Sequence, residues 1–397
     1  MNFPLPAGFR ATGLHCGIKE DASLFDLSLF VSDRPAALAG VFTQNQIFGA
    51  PVAVSRDRVP RSTGRACVIN SGNANACTGP RGLTDARWMT GETARLLNCE
   101  DEDVVVCSTG IIGHFLPTDR LTSGIPAAVS QLGSSNESFE QAARAMMTTD
   151  TFTKQSVRDI ELNGQAVRVS AAAKGAAMIG PNMATMLGII MTDAELTPDD
   201  TDAMLRHAVN RSFNCIRVEG HTSTSDTVFL FANGAAGNGP LDAADRQILQ
   251  TALDEVAAEL AQAIIRDAEG ADHFITIDVC GARTRDEAFR IAREIADSPL
   301  VKTAVAGADP NWGRIISAAG YADVTLREED LRLQINGIEI YSNGTPAEYD
   351  EASLSASIRG QRDVTIHLQL SHGDAAVRFW TSDLTAEYVR LNSEYTT

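Results

Sequence analysis

Residues 174–191 read Lys-Gly-Ala-Ala-Met-Ile-Gly-Pro-Asn-Met-Ala-Thr-Met-Leu-Gly-Ile-Ile-Met: a turn rich in small residues, then an apolar run. Met186 to Met191 reads as a buried strand, so the chain has to supply layers that cover it. Thr185 stands at the mouth of that strand, a place where a hydroxyl can be held rigidly. If the chain breaks between Ala184 and Thr185, the threonine gains a free α-amine beside its own hydroxyl. With a reference pKa of about 7.7–8.0, that amine is a built-in base for a threonine nucleophile. The Lys174-Gly175 and Gly180-Pro181-Asn182 turns favour unusual backbone just before the bond, and strain there would assist an N-to-O acyl shift. The plain alternative is a strand residue, because threonine favours strands in any case.

Around this segment, short apolar runs at Leu24–Val31, Cys67–Ile69 and Val104–Val106 look like strands, with turn residues close behind. Residues 84–97 and 138–147 have helical spacing. Asn163-Gly164 and Asn336-Gly337, each between apolar-alternating flanks, predict tight hairpins. Pro198 followed by two aspartates suits a helix start, predicting a helix over 198–212. Residues 242–267 are the longest helix candidate, with Leu249, Leu253, Val256, Leu260 and Ile264 near one face. Residues 274–279 read as a strand and 286–295 as a helix. Val364, Ile366, Leu368 and Leu370 alternate with polar residues as in a half-buried strand, and 375–380 and 388–391 also read as strand-like. Strands and helices without strict alternation predict an α/β (α+β layered) fold, an αββα-type sandwich of mixed sheets covered by helices. A smaller C-terminal α/β lobe is expected from roughly residue 285.

Composition narrows the function. The chain has 397 residues, 44% of them hydrophobic, enough for a large core. Its net charge is -18, from 33 basic and 51 acidic residues, which argues against nucleic acid and against an anionic membrane surface. Seven cysteines, an odd number without a Cys-x-x-Cys pair, argue against a disulfide framework or zinc ribbon and for a reducing cytoplasm. No apolar stretch reaches transmembrane length, and the N-terminus does not read as a signal peptide. The P-loop, His-Glu-x-x-His, Gly-x-Ser-x-Gly and Gly-x-Gly-x-x-Gly motifs are absent, and seven scattered histidines indicate neither a metal site nor a His-based triad. His221, beside a hydroxyl cluster, reads as a surface or supporting residue.

Five further motifs each carry two readings. Cys107-Ser-Thr109-Gly110-Ile-Ile-Gly113 is either a plain glycine turn or a strand end that aims a threonine hydroxyl and a glycine N–H at one point, as an oxyanion hole requires. Asn70 to Gly79 is a tight loop that can also offer amides to a ligand. Thr222 to Thr227 either binds the fold together or supports a site. Asp309-Pro-Asn-Trp-Gly-Arg314 reads first as a turn. The terminus, Asn392 to Thr397, is either frayed or docked.

Taken together, these blocks resemble the ornithine acetyltransferase family, the bifunctional glutamate N-acetyltransferases of arginine biosynthesis. The resemblance runs from Gly8-Phe-Arg-Ala-Thr-Gly to the last residue and includes Asn70–Gly79, Ser108–Gly113, Met147–Thr151, Pro181–Leu187, Thr222–Thr227, Val301-Lys-Thr-Ala and Gly307–Arg314. It implies self-cleavage at Ala184–Thr185 into an α chain (1–184) and a β chain (185–397). It implies Thr185 as nucleophile and Thr109 with Gly110 as oxyanion hole. Substrate contacts carry over to Thr148, Lys174, Thr185, Glu269, Asn392 and Thr397. The implied reaction moves acetyl from N2-acetylornithine to glutamate through an acetyl-threonine, with no metal or cofactor; some members also take acetyl-CoA as donor. Two α and two β chains are the implied assembly. Glu219, His221, Ala268, Asp272, His273 and Ser382 depart from the usual pattern, and three of them bear on charge near the site. A self-processing aminopeptidase or amidohydrolase is the alternative enzyme, and a silent amino-acid-binding protein the non-enzymatic one.

Overall fold

The computed structural model describes residues 3–178 and 186–394. In chain order its strands are β1 (Phe9–Leu14), β2 (Leu27–Phe42), β3 (Arg61–Asn73), β4 (Val104–Ile111), β5 (Lys154–Leu162), β6 (Gln165–Lys174), β7 (Leu187–Thr192) and β8 (Ile216–Arg217). They continue with β9 (Thr227–Ala232), β10 (Phe274–Ala282), β11 (Leu331–Ile335), β12 (Ile338–Ser342), β13 (Thr345–Pro346), β14 (Asp363–Leu370) and β15 (Ala375–Ser382).

These strands make two mixed sheets. The first runs β4-β3-β2-β9-β7-β6-β5, with β1 added against β2. Its pairs are antiparallel except β3 with β4 and β7 with β9. The second runs β13-β12-β11-β14-β10-β15-β8, parallel at β10–β14 and β15–β8. The expected α/β fold of mixed sheets with helices is therefore what the chain forms.

β7 shows why its sequence does not alternate. Leu187, Ile189 and Met191 enter one apolar core, where Phe139 meets Phe30 edge to face at 6.4 Å. Ile190 and the preceding Met186 enter another core on the opposite face. A strand covered on both sides needs apolar residues at every position, and each such side chain contributes about 1.5–3 kcal/mol on burial.

The helix Ala243–Arg266 is capped by the Asp242 carboxylate, which accepts the amides of Ala244 and Asp245. It packs on β5 and β6 of the first sheet and on β15 and β8 of the second, so one continuous core joins the two sheets. On the other face of the first sheet lies the helix Asn136–Met146. Ser28 Oγ and Ser71 Oγ donate to its Ala142 and Ala145 carbonyls at 2.9 and 2.7 Å. Gly13 permits this approach: a Cβ there would lie 1.9 Å from the Gln141 carbonyl oxygen.

Both Asn-Gly hairpins form, β5–β6 and β11–β12. Asn163, Gly164, Asn336 and Gly337 adopt φ of 50°, 73°, 48° and 79°, the left-handed geometry that such turns demand. Two strand expectations need correction. Leu24 lies outside β2 and is exposed, because the chain first turns at Asp26, whose carboxylate accepts the amides of Cys16, Gly17, Ile18 and Lys19. Residues 388–391 are not a strand but part of the helix Ala386–Glu394. Thr385 Oγ1 accepts the Tyr388 amide at the start of that helix, and Arg390 pairs with Glu387 and Glu394 along its surface, signals with helical spacing that outweigh the Tyr-Val pair.

Candidate active site

Lys174 is the last residue of β6 and is 2% exposed. Its register partner in β7 is Leu187, so the first residues of that strand are delivered beside the Lys174 backbone. The ammonium donates to Thr148 Oγ1 at 2.7 Å and to Thr109 Oγ1 at 3.4 Å. Thr109 is the last buried residue of β4, and Thr148 stands two residues past the helix Asn136–Met146. Thus two hydroxyls remote in sequence are fixed on one cation.

Gly110 follows Thr109 with φ of 132°. A Cβ at this position would lie 2.4 Å from the carbonyl carbon of Gly72 and 2.6 Å from the nitrogen of Asn73, both backbone atoms of β3. Only glycine closes this corner. The asparagine-rich segment after it is a hydrogen-bonded support. Asn70 Oδ1 accepts the Ser108 hydroxyl at 2.5 Å, Asn70 Nδ2 donates to the Asn73 carbonyl, and Asn73 Oδ1 accepts the Asn75 amide.

Behind Lys174 lies a chain of buried charge that the motifs did not reveal. Asp150 sits 3.9 Å from the Lys174 ammonium and accepts from Lys154 at 2.7 Å, the Gly175 amide at 2.6 Å and the Thr148 amide at 3.1 Å. Lys154 also donates to Asp267 at 2.6 Å. Asp267 in turn accepts from Thr151 and stands two residues before Glu269. Burial alone would push the Asp150 carboxyl up, but Lys174, Lys154 and the Gly175 amide overcome it and hold it at about 2. Burial lowers the Lys174 ammonium below its ordinary value, and Asp150 opposes that shift without cancelling it. A cation so placed is poised to pair with an anionic ligand.

Glu269 is anchored through its amide to the Ala176 carbonyl at 3.1 Å, and its Oε2 accepts from Asn392 Nδ2 at 3.2 Å. The C-terminal helix is therefore docked at the site through Asn392. Thr109, Gly110, Thr148, Lys174, Glu269 and Asn392 all line one cavity. Ser223, Thr224 and Ser225 form another part of its wall, so the hydroxyl cluster both supports the fold and faces the site. Ala184, Thr185 and Thr397 lie outside the described residues. The first described residue after the expected cleavage point, Met186, donates its amide to Asp226 Oδ1 at 3.1 Å.

The Asp309–Arg314 motif behaves as a turn. Asn311 caps the helix Trp312–Ala319, and Trp312 stacks on Tyr341 at 5.2 Å. His221 is exposed. Asp226 lies in the Thr222–Thr227 hydroxyl run, where polarity between two strands is its only signal. Lys154 and Asp267 had none, being brought together only by folding.

Fold and cavity define a two-sheet α/β protein whose site brings together a buried lysine, threonine hydroxyls and the Glu269 carboxylate. The sequence profile of the ArgJ family matches residues 10–397, and the chain belongs to that family. The arginine biosynthesis bifunctional protein ArgJ of Rhodopirellula baltica is 46% identical over 396 residues, covering 99% of this chain and 96% of the relative. Its counterpart in Geobacter sulfurreducens is 42% identical over 392 residues, covering 98% and 99%. Among solved structures, the ornithine acetyltransferase of Mycobacterium tuberculosis, crystallised with ornithine, is 37% identical over 45% of this chain and 94% of that one, with a TM-score of 0.41. Among the described residues no helix is long and apolar enough to cross a membrane.

Proposed function

We propose that this enzyme cleaves itself between Ala184 and Thr185 and then moves acetyl from N2-acetylornithine to glutamate through an acetyl-Thr185 intermediate. The observation that carries the reading is the cavity where Lys174, Thr109, Gly110, Thr148, Glu269 and Asn392 meet, with β7 entering beside Lys174. Family membership supports the same chemistry.

In this scheme the Thr185 hydroxyl oxygen attacks the acetyl carbonyl carbon, and its proton passes to the Thr185 α-amine. The Thr109 hydroxyl and the Gly110 N–H stabilise the resulting oxyanion. Collapse breaks the carbon–nitrogen bond, and the departing ornithine nitrogen takes the proton back from the Thr185 ammonium. The glutamate amine then attacks the acetyl ester, its proton passes by way of the Thr185 α-amine to the departing Thr185 oxygen, and N-acetylglutamate is released with the hydroxyl restored. Lys174 binds the substrate α-carboxylate, and Glu269, held by Asn392, faces the amine end of ornithine. Thr148 and Thr397 are the remaining proposed substrate contacts. No metal or cofactor enters any step, and acetyl-CoA is a second acetyl donor to the same threonine. The working particle in this reading is two α and two β chains in the cytoplasm.

Purified protein incubated with N2-acetylornithine tests this reading. With glutamate present, N-acetylglutamate and ornithine should accumulate with parallel-line ping-pong kinetics, and Thr185→Ala should give an uncleaved, inactive chain. Release of acetate regardless of glutamate would instead identify a hydrolase.

A further inference from the structure

The loop that carries Glu269 is fastened to the last part of the chain at two points. At its far end Asp383 Oδ1 accepts the amides of Asp272 and His273 at 3.0 Å each, and Asp383 Oδ2 lies 2.7 Å from His273 Nδ1. At its near end the Thr385 hydroxyl donates to the Gly270 carbonyl at 2.5 Å and accepts the Tyr388 amide at 3.4 Å. Gly270 adopts φ of 67°, and a Cβ there would lie 2.4 Å from the Tyr388 nitrogen and 2.8 Å from the Glu387 carbonyl carbon. The first turn of the helix Ala386–Glu394 therefore rests directly on the residue after Glu269. One turn further on, Asn392 Nδ2 donates to the Tyr388 carbonyl at 3.0 Å and to Glu269 Oε2 at 3.2 Å. The contacts close a ring from Glu269 through Gly270, Thr385, Tyr388 and Asn392 back to the Glu269 carboxylate. Tyr388 is half-buried against the core, but no residue of this helix is fully buried, and the Arg390 ion pairs with Glu387 and Glu394 lie within the helix itself.

We propose that Thr385 is a positioning residue for Glu269: its hydroxyl bolts the helix Ala386–Glu394 to Gly270, so that Asn392 holds the Glu269 carboxylate toward the amine end of the acetyl donor. This inference rests on the reading above in which Glu269 faces ornithine. A glutamate side chain left free to rotate has to be ordered when the ligand binds, and the ring of contacts orders it beforehand. A chain end held by exposed contacts opens locally without global unfolding. Losing the bolt therefore loosens the helix and leaves the cores intact, and the Asp383 contacts still hold the other end of the loop. The effect is one-sided. The donor's ammonium gains from an aimed carboxylate, whereas the acceptor glutamate brings a carboxylate of its own and gains nothing from Glu269.

Thr385→Val provides the test, because it keeps the shape of the side chain and removes the hydroxyl that serves Gly270 and Tyr388. Ping-pong kinetics give kcat/KM for N2-acetylornithine and for glutamate separately, and thermal unfolding reports the fold. The expected result is a donor kcat/KM lowered about tenfold, chiefly through KM, with the glutamate value within about twofold of wild type and the melting temperature unchanged. Thr385→Ser, which restores the hydroxyl, should return the donor value to near wild type. If the valine variant fails to accumulate, Gly270→Ala, whose Cβ would push the Tyr388 amide away, should give the same one-sided loss. Equal losses for donor and acceptor, or wild-type values for both, in whichever variant folds would overturn the inference and leave Thr385 as a helix cap. Glu269→Gln separates the two claims: a donor kcat/KM untouched by that change would sink the reading of Glu269 itself and this inference with it.

Discussion

Thr109 and Gly110 do different work at adjacent positions. Thr109→Ala removes one proposed oxyanion donor and should lower kcat by about 10²–10³ with little change in KM. Gly110→Ala should fail earlier: its Cβ would press on the β3 backbone at 2.4 Å, so soluble yield and activity should fall together. Lys154 belongs to stability. It bridges Asp150 and Asp267 with no exposed side-chain surface, and Lys154→Met, which leaves two buried carboxylates short of a cation, should cost about 3–5 kcal/mol in urea unfolding. The same network sets an acid limit. The Asp150 carboxyl titrates at about 2 in the fold against an ordinary 3.8. The unfolded chain therefore binds that proton more readily, and the contribution is complete above about pH 4 and fades as pH falls toward 2. Melting temperatures taken at pH 5 and pH 3 should drop accordingly, and less so in Asp150→Asn. At this scale the sequence was legible only where a motif carried the residue. Thr109 and Gly110 lie in one short block near the end of a strand, but Lys154 and Asp267 are 113 positions apart, and no local pattern records a buried charge chain.

Secondary elements with strong local codes were readable before folding. Asn163-Gly164 and Asn336-Gly337 form their hairpins because the required left-handed φ values suit those residues. The helix Ala243–Arg266 begins at an aspartate that satisfies two otherwise free amides. Asp242→Ala should cost about 1 kcal/mol in chemical denaturation and leave kcat unchanged, since the cap lies at the end of the helix away from Asp267. The four residues 388–391 fit either a strand or a helix period. Their helical state is set by the Thr385 hydroxyl, the Arg390 ion pairs and docking of Asn392 on Glu269, which extend beyond that window. The six-residue apolar run after Thr185 was legible as a strand, yet its two-faced burial depends on partners from remote elements.

Across the whole molecule, the site exists because separate parts of the chain meet at one cavity: β4, β6, the segment after the helix Asn136–Met146, the hydroxyl cluster before β9, the loop carrying Glu269 and the C-terminal helix. Two cores hold these parts: the one around the helix Ala243–Arg266 takes Ala171 and Ala173 of β6, and the one on the opposite face takes Val105 and Cys107 of β4 with Phe139, Ala142 and Met146 of the helix Asn136–Met146. A mixed α/β fold was legible from the strand and helix patterns, whereas the number of sheets and the strand order had to come from long-range pairing such as β7 with β9. This framework gives the start of β7 a fixed place beside Lys174 and Asp226, which a chain end needs if it is to act as nucleophile and base. Intact mass spectrometry of the purified protein, before and after incubation with N2-acetylornithine alone, measures that claim directly. The account expects two polypeptides, residues 1–184 and 185–397, with an acetyl group appearing on the second. A single uncut chain, or two chains with no acetyl on the piece that begins at Thr185, would contradict it.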